Sequence, residues 1–109
     1  TGTIPSASIK ISISGVEHAA EVSGNGPVDA TFKAIESIVN SQSELLLFSV
    51  NNITSGTDAQ GEVTVRLSKG GRVVNGLGAD IDIVIASAKA YLNALNKLFS
   101  KLERAHPQI

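Results

Sequence analysis

Two glycine pairs, Gly24-Asn25-Gly26 and Gly76-Leu77-Gly78, stand 52 positions apart in this chain. Each follows a strand-like run and precedes an acidic residue and a helix-like segment, as in Gly26-Pro27-Val28-Asp29-Ala30 and Gly78-Ala79-Asp80-Ile81-Asp82. Duplication of such a motif implies two units related by pseudo-symmetry, with two glycine-lined helix starts facing each other across the axis. Glycine lets other groups approach the backbone closely, and a helix start presents unpaired N–H groups. A small, enclosed site is therefore expected, in which main-chain groups do most of the recognition.

The alternation around these motifs sets the rest of the fold. Ala7, Ile9, Ile11 and Ile13 alternate with Ser8, Lys10, Ser12 and Ser14, the period-two pattern of a half-buried strand. Gly15 turns the chain, and Val16 to Val22 returns as its hairpin partner. Pro27 fits the first turn of a helix, where its missing N–H costs nothing, and Asp29 suits the positive end of the dipole. This helix is expected to end near Asn40, burying Val28, Phe32, Ile35 and Val39. A third strand, covered on both faces for part of its length, is expected over Leu45 to Thr54, followed by a polar loop from Ser55 to Gly61. Val63, Val65 and Leu67 alternate with polar residues, and Lys69-Gly70-Gly71 turns the chain into a strand over Arg72 to Gly76. A last helix, capped by Asp80 or Asp82, is expected to reach about Arg104. Its apolar stripe is Ile85, Ala88, Leu92, Leu95, Phe99 and Leu102, widened by Ile81, Val84, Tyr91 and Leu98. That stripe is too broad for a small sheet to cover, so part of it is expected to face a second subunit or domain. The fold class is α+β: two pseudo-symmetric β-rich units, each ending in a helix, in one domain over 1–109 with a core of about 6–104.

Composition excludes several functions. With nine Lys and Arg, ten Asp and Glu and a net charge of −1, the chain lacks the basic footprint of a nucleic-acid binder. It has no cysteine, which removes thiolate catalysis, disulfides and cysteine-ligated zinc. No apolar run is long enough to span a bilayer and no signal pattern opens the chain, so a soluble, cytoplasmic setting is expected. Methionine is absent even at position 1, which suggests a piece of a longer polypeptide. His18 and His106 have no partner at ligand spacing, no Walker loop is present, and no acyl-transfer triad can be assembled; the chain is not expected to be catalytic. Asp29, Asp58, Asp80 and Asp82 are explained as well by helix capping as by binding. The small-residue run Ala86-Ser87-Ala88-Lys89-Ala90 suits close packing, either in the core or at a subunit interface.

Three separated blocks carry a family resemblance: Ser23-Gly24-Asn25-Gly26-Pro27-Val28-Asp29-Ala30; Gly56-Thr57-Asp58-Ala59-Gln60-Gly61-Glu62-Val63; and the stretch from Gly76-Leu77-Gly78-Ala79-Asp80-Ile81-Asp82 through Tyr91 to Asn96. In order and spacing they closely resemble the C-terminal regulatory domain of 2-isopropylmalate synthase, over about residues 6 to 98. The resemblance implies a domain that dimerises, binds leucine near the dimer interface and inhibits a distant catalytic TIM barrel of the same polypeptide. That barrel condenses acetyl-CoA with 2-oxoisovalerate at a divalent metal and is absent from this chain; no cofactor is expected here. The implied leucine site draws on Gly24, Asn25, Gly26 and Val28, then Leu45, Phe48 and Asn52. Thr57, Asp58 and Ala59 follow from the polar loop, and Leu77, Gly78, Ala79 and Ile81 from the second glycine motif. Helix starts would take the carboxylate, carbonyls or Asp58 or Asp80 the ammonium, and Val28, Leu45 and Phe48 the isobutyl group. Where many members of that family have Asp-Tyr on the third strand, this chain has Leu47-Phe48, which removes a polar contact and bears on leucine against isoleucine. Two alternatives share the fold: the isoleucine-sensing domain of a citramalate synthase, and a domain that only dimerises.

Overall fold

A computed structural model describes residues 4–55 and 58–100. The chain runs β1 (Ser6–Ile13), β2 (Val16–Ser23), α1 (Pro27–Val39), β3 (Glu44–Ser55), β4 (Asp58–Lys69), β5 (Arg72–Asp80) and α2 (Ile83–Leu98). It divides into two compact units, Thr1–Gln42 and Ser43–Ile109. The α+β class, with two small antiparallel sheets and a helix closing each unit, is as expected.

In the first unit β1 and β2 pair antiparallel, with Ile13 opposite Val16. Ser14 and Gly15 both have positive φ, 52° and 82°, the two-residue turn that matches strand twist. Ala7, Ile9 and Ile11 fall on the half-buried side of β1, while Ser6, Ser8, Lys10 and Ser12 are exposed. Helix α1 begins with Gly26 as its N-cap and Pro27 in its first turn, and ends on Asn40 in the left-handed conformation. The Glu36 carboxylate accepts from the N–H and hydroxyl of buried Ser41, at 2.8 and 2.6 Å, and secures the exit. Phe32 and Ile35 are buried as expected; Ala30, Thr31 and Ala34 complete the buried face, and Val28 and Val39 are only half-buried.

The second unit orders its strands β3-β4-β5, all antiparallel. Gly70 and Gly71 form the β4–β5 turn at φ 58° and 82°. The central strand supplies the deepest core, with Val63, Val65 and Leu67 all 0% exposed. A register shift between Leu45 and Leu47 puts Leu45 opposite Leu67 and Phe48 opposite Val65, so the bulge at Leu46 changes which side chains face the helix.

Four expectations are corrected here. Strand β3 is not covered on both faces: it lies at the sheet edge, and Leu45, Leu46, Phe48 and Val50 are exposed. The polar loop is shorter than Ser55 to Gly61, because Asp58 to Gly61 continue the ladder opposite Ser55 to Asn52. Strand β5 runs on past Gly76 to Asp80, so Gly76-Leu77-Gly78 lies within a strand, not in a loop before a helix. Helix α2 ends at Leu98, earlier than Arg104; the Arg72 guanidinium donates to the Lys97 and Leu98 carbonyls at 2.9 and 3.1 Å and takes up acceptors left open at the helix end. The expected stripe residue Leu102 lies outside the described residues.

The buried face of α2 keeps Tyr91, Leu95 and Leu98 of the expected stripe but is rotated away from Ile85 and Phe99. Ala86, Ser87, Ala90, Tyr91, Ala94, Leu95 and Leu98 are buried, whereas Ile85 is 46% and Phe99 50% exposed. The cause lies in β5. A Cβ on Gly76 would collide with the Ala90 carbonyl oxygen and Ala94 nitrogen, and one on Gly78 with the Ala86 oxygen and Ala90 nitrogen. Two strand glycines and three helix alanines thus bring backbone against backbone, which outweighs the burial that larger residues would gain on that face.

Candidate functional site

The two glycine motifs occupy different structural positions. Gly24 follows β2 directly and donates its N–H to the Pro5 carbonyl at 2.9 Å, extending the hairpin ladder by one bond. A Cβ there would stand 2.5 Å from the Ala30 nitrogen and 2.7 Å from an Asp29 carboxylate oxygen, so strand and helix start meet at this residue. Gly26 is the N-cap of α1 at φ −163°, ordinary extended backbone, with open space where a Cβ would be and no side chain to cap the helix. In the second unit the N-cap is Asp82, 56 positions beyond Gly26, whereas the glycine pairs are 52 apart. The second pair therefore sits four residues further from its helix and serves packing.

The helix starts differ electrically as well. The Asp82 carboxylate accepts from the N–H groups of Val84 at 2.8 Å and Ile85 at 3.4 Å, closing the start of α2. At α1 no N-cap side chain competes for the first-turn amides. Asp29 lies in that turn, but its Oδ2 is engaged by the Asn25 N–H at 2.8 Å and Lys33 at 3.1 Å. These partners, the Asn25 N–H first, hold its carboxyl below the usual carboxylate range. Asp80 repeats the arrangement: its carboxylate accepts from the Asp82 N–H at 3.0 Å and pairs with Lys89 at 3.0 Å, and both lower its pKa, the backbone bond more. Capping and ion pairing thus account for Asp29, Asp80 and Asp82, and the ammonium role expected for Asp80 would have to share it with Lys89. Among the described residues no group of three or more His, Cys, Asp and Glu side chains could hold a metal ion. No helix of the described residues is long and apolar enough to cross a membrane.

Within the first unit Gly24, Asn25, Gly26 and Val28 fall together at the β2–α1 junction. Within the second unit the sheet divides the remaining site residues. By register Leu45, Phe48, Asn52 and Gly78 lie on the α2 side, because they align with Leu67, Val65, Gly61 and Val63. Leu77 and Ala79 fall on the opposite side with Thr64 and Glu62, and Leu77 is 53% exposed. Ile81, in the β5–α2 connection, is 80% exposed. Thr57 lies outside the described residues, and for Asp58 and Ala59 only the backbone of β4 is described. An open groove of about 540 Å³ on the first hairpin, lined by Ser8, Ile9, Lys10, Ala19, Ala20 and Glu21, includes none of these positions.

Sequence reasoning missed the direct role of Asn93. Its Oδ1 accepts from the Leu77 N–H at 3.0 Å, a contact between positions 16 apart that periodicity cannot signal.

Residues 1–99 match the model of one family, the LeuA allosteric (dimerisation) domain. The chain is 69% identical over its whole length to a 2-isopropylmalate synthase of Thiobacillus denitrificans. It is 72% and 70% identical, again over all 109 residues, to those of Nitrosospira multiformis and Nitrosomonas europaea. It spans 21% of the length of each of these curated relatives.

Proposed function

The chain belongs to the LeuA allosteric (dimerisation) domain family, and from that premise we propose that it is the leucine-sensing, homodimeric regulatory domain of a 2-isopropylmalate synthase. The observation that carries the reading is agreement between the family match over residues 1–99 and identity near 70%, across this chain, to a fifth of the length of proteins of that name. In this reading the chain itself performs no chemistry. The acyl transfer from acetyl-CoA to 2-oxoisovalerate, and the divalent metal it uses, belong to a catalytic barrel elsewhere in the polypeptide, in the cytoplasm.

The start of α1 is the better of the two helix starts for the ligand's carboxylate. Its glycine N-cap leaves the amides of Val28 and Asp29 to an incoming acceptor, whereas Asp82 already occupies the corresponding amides of α2. Val28 in the first unit, and Leu45 and Phe48 in the second, each carry apolar surface suited to an isobutyl group. The other residues proposed for the site are Gly24, Asn25, Gly26, Asn52, Thr57, Asp58, Ala59, Leu77, Ala79 and Ile81; Gly78, set against the backbone of α2, serves packing. The exposed outer stripe of α2, with Ile85 and Phe99, supplies apolar surface for dimerisation.

Feedback requires that leucine bind the inhibited state better than the active one, and a coupling of ~1–3 kcal/mol gives roughly 5- to 150-fold. Calorimetric titration of the chain with leucine, isoleucine and valine tests the sensor reading, and leucine-selective, saturable binding is expected. Tighter isoleucine binding would move the parent to citramalate synthesis, and no binding would leave a domain that only dimerises. Unchanged activity of the full-length enzyme at saturating leucine would refute feedback.

A further inference from the structure

The sheet of the second unit ends at β5, and a terminal strand normally offers a row of unpaired N–H and C=O groups to any other chain. Strand β5 would be a good template: it is nine residues long, and Val73 and Leu77 are each 53% exposed. In an antiparallel strand alternate residues turn both backbone groups toward the same edge. On β5 one of the two backbone groups at each of Asn75, Leu77 and Ala79 is met by a side chain of α2. Lys97 Nζ donates to the Asn75 carbonyl at 2.7 Å, Asn93 Oδ1 accepts from the Leu77 N–H at 3.0 Å, and Lys89 Nζ reaches the Ala79 carbonyl at 3.5 Å. Lys89 is held in place by Asp80 at 3.0 Å.

These three side chains recur every four residues and so form one line along the helix. The helix is already seated on the sheet through Ala86, Ala90 and Ala94. Each member of the line matches the polarity of the backbone group that it meets, an acceptor for the N–H and cations for the carbonyls. Two of the three are cations, which a second strand would have to displace before it could pair.

We propose that Lys89, Asn93 and Lys97 are an edge guard that denies β5 to strand addition by a second copy of this chain, so that self-association is kept to surfaces other than this edge. The inference does not depend on leucine binding and stands or falls separately from it.

The test is the double substitution Asn93→Ala with Lys97→Ala in the 109-residue chain, alanine being the strongest helix former. Two readouts apply, amide hydrogen exchange at Leu77 and sedimentation velocity across a concentration series. The expected result is Leu77 exchange faster by about tenfold, unchanged exchange at Val65, and species larger than those of the unsubstituted chain. Adding Val73→Lys, an exposed charge on the same strand, should return the size distribution to that of the parent. Unchanged Leu77 exchange and unchanged assembly would overturn the proposal. Should the double variant fail to fold, the unsubstituted chain still decides: a Leu77 amide that exchanges as fast as one open to solvent overturns it, and a protected one supports it.

Discussion

The two units place one helix on an antiparallel sheet with different amounts of sheet, and the difference decides where each finds its core. The second has a central strand, and a strand with neighbours on both sides can bury one whole face: Val63, Val65 and Leu67 are fully enclosed. The first has only edges. None of its strand residues is fully buried, and its buried side chains come from α1 and from Ser41 just beyond it. A two-stranded hairpin is marginal alone, and so is a 13-residue helix, so β1, β2 and α1 depend on one another. The glycines follow the same division. In the first unit they mark the strand-to-helix junction, while in the second they lie inside β5 and let the helix backbone sit on the strand.

Gly76→Val should have the largest effect, because the added atoms meet the backbone of α2 at Ala90 and Ala94, which cannot yield as a flexible side chain would. A loss of about 3 kcal/mol or more is expected by urea denaturation. Gly26→Ala, with open space at its Cβ, is the control and should cost no more than about 1 kcal/mol, the loss of a glycine N-cap; equal effects at both positions would remove the distinction between packing glycines and junction glycines. Gly78 falls with Gly76, so a bulky residue there reports on folding and cannot serve as a probe of ligand binding.

Next in size, Leu67→Ala should cost ~2–5 kcal/mol, whereas Ile9→Ala, at a half-buried strand position, should cost well under that. Thermal unfolding of both variants measures the asymmetry of the strands directly, and a larger loss at Ile9 would reverse it.

The helix starts give a smaller, paired effect. Asp82→Ala removes the acceptor for Val84 and Ile85 and should cost about 1 kcal/mol. Gly26→Asp supplies α1 with the cap it lacks and should gain a few tenths of a kcal/mol. If the α1 amides receive leucine's carboxylate, the same change weakens leucine binding while stability rises, a combination that a general structural effect does not produce.

The smallest effect is shared by both units. Asp29 and Asp80 have folded pKa values below the reference of 3.8. Their contribution is complete above that value and is lost as pH falls through the folded pKa, because the unfolded state takes up the proton first. Both groups are half-buried, with side chains 41% and 25% exposed, and solvent and salt still screen them, so the acid limb should be shallow and weaker in salt. Asp29→Asn and Asp80→Asn should each flatten it, and an acid limb untouched by either would assign it to other carboxylates.

Much of the fold was legible because it depends on near neighbours in the chain. The alternation of β1, the Gly70-Gly71 turn, the Pro27 start and the Asn40 stop of α1 each rest on a few adjacent residues. The placement of Gly24 to Val28 at the β2–α1 junction was legible for the same reason. Leu77, Ala79 and Phe48 were not, since a strand's two faces are told apart only by register, and the bulge at Leu46 shifts it. The length of β5 was misread because Gly76 and Gly78 look like a loop until a helix is placed against them.

By itself, then, the amino-acid sequence determined the α+β class, the turns, the ends of α1 and the family, all of which are carried by short patterns and their order. The tertiary structure alone decided which face of α2 is buried. The apolar periodicity favours Ile85 and Phe99, but close approach of α2 to Gly76 and Gly78 rewards Ala86, Ala90 and Ala94, and that reward exists only once strand and helix, distant in sequence, are in contact.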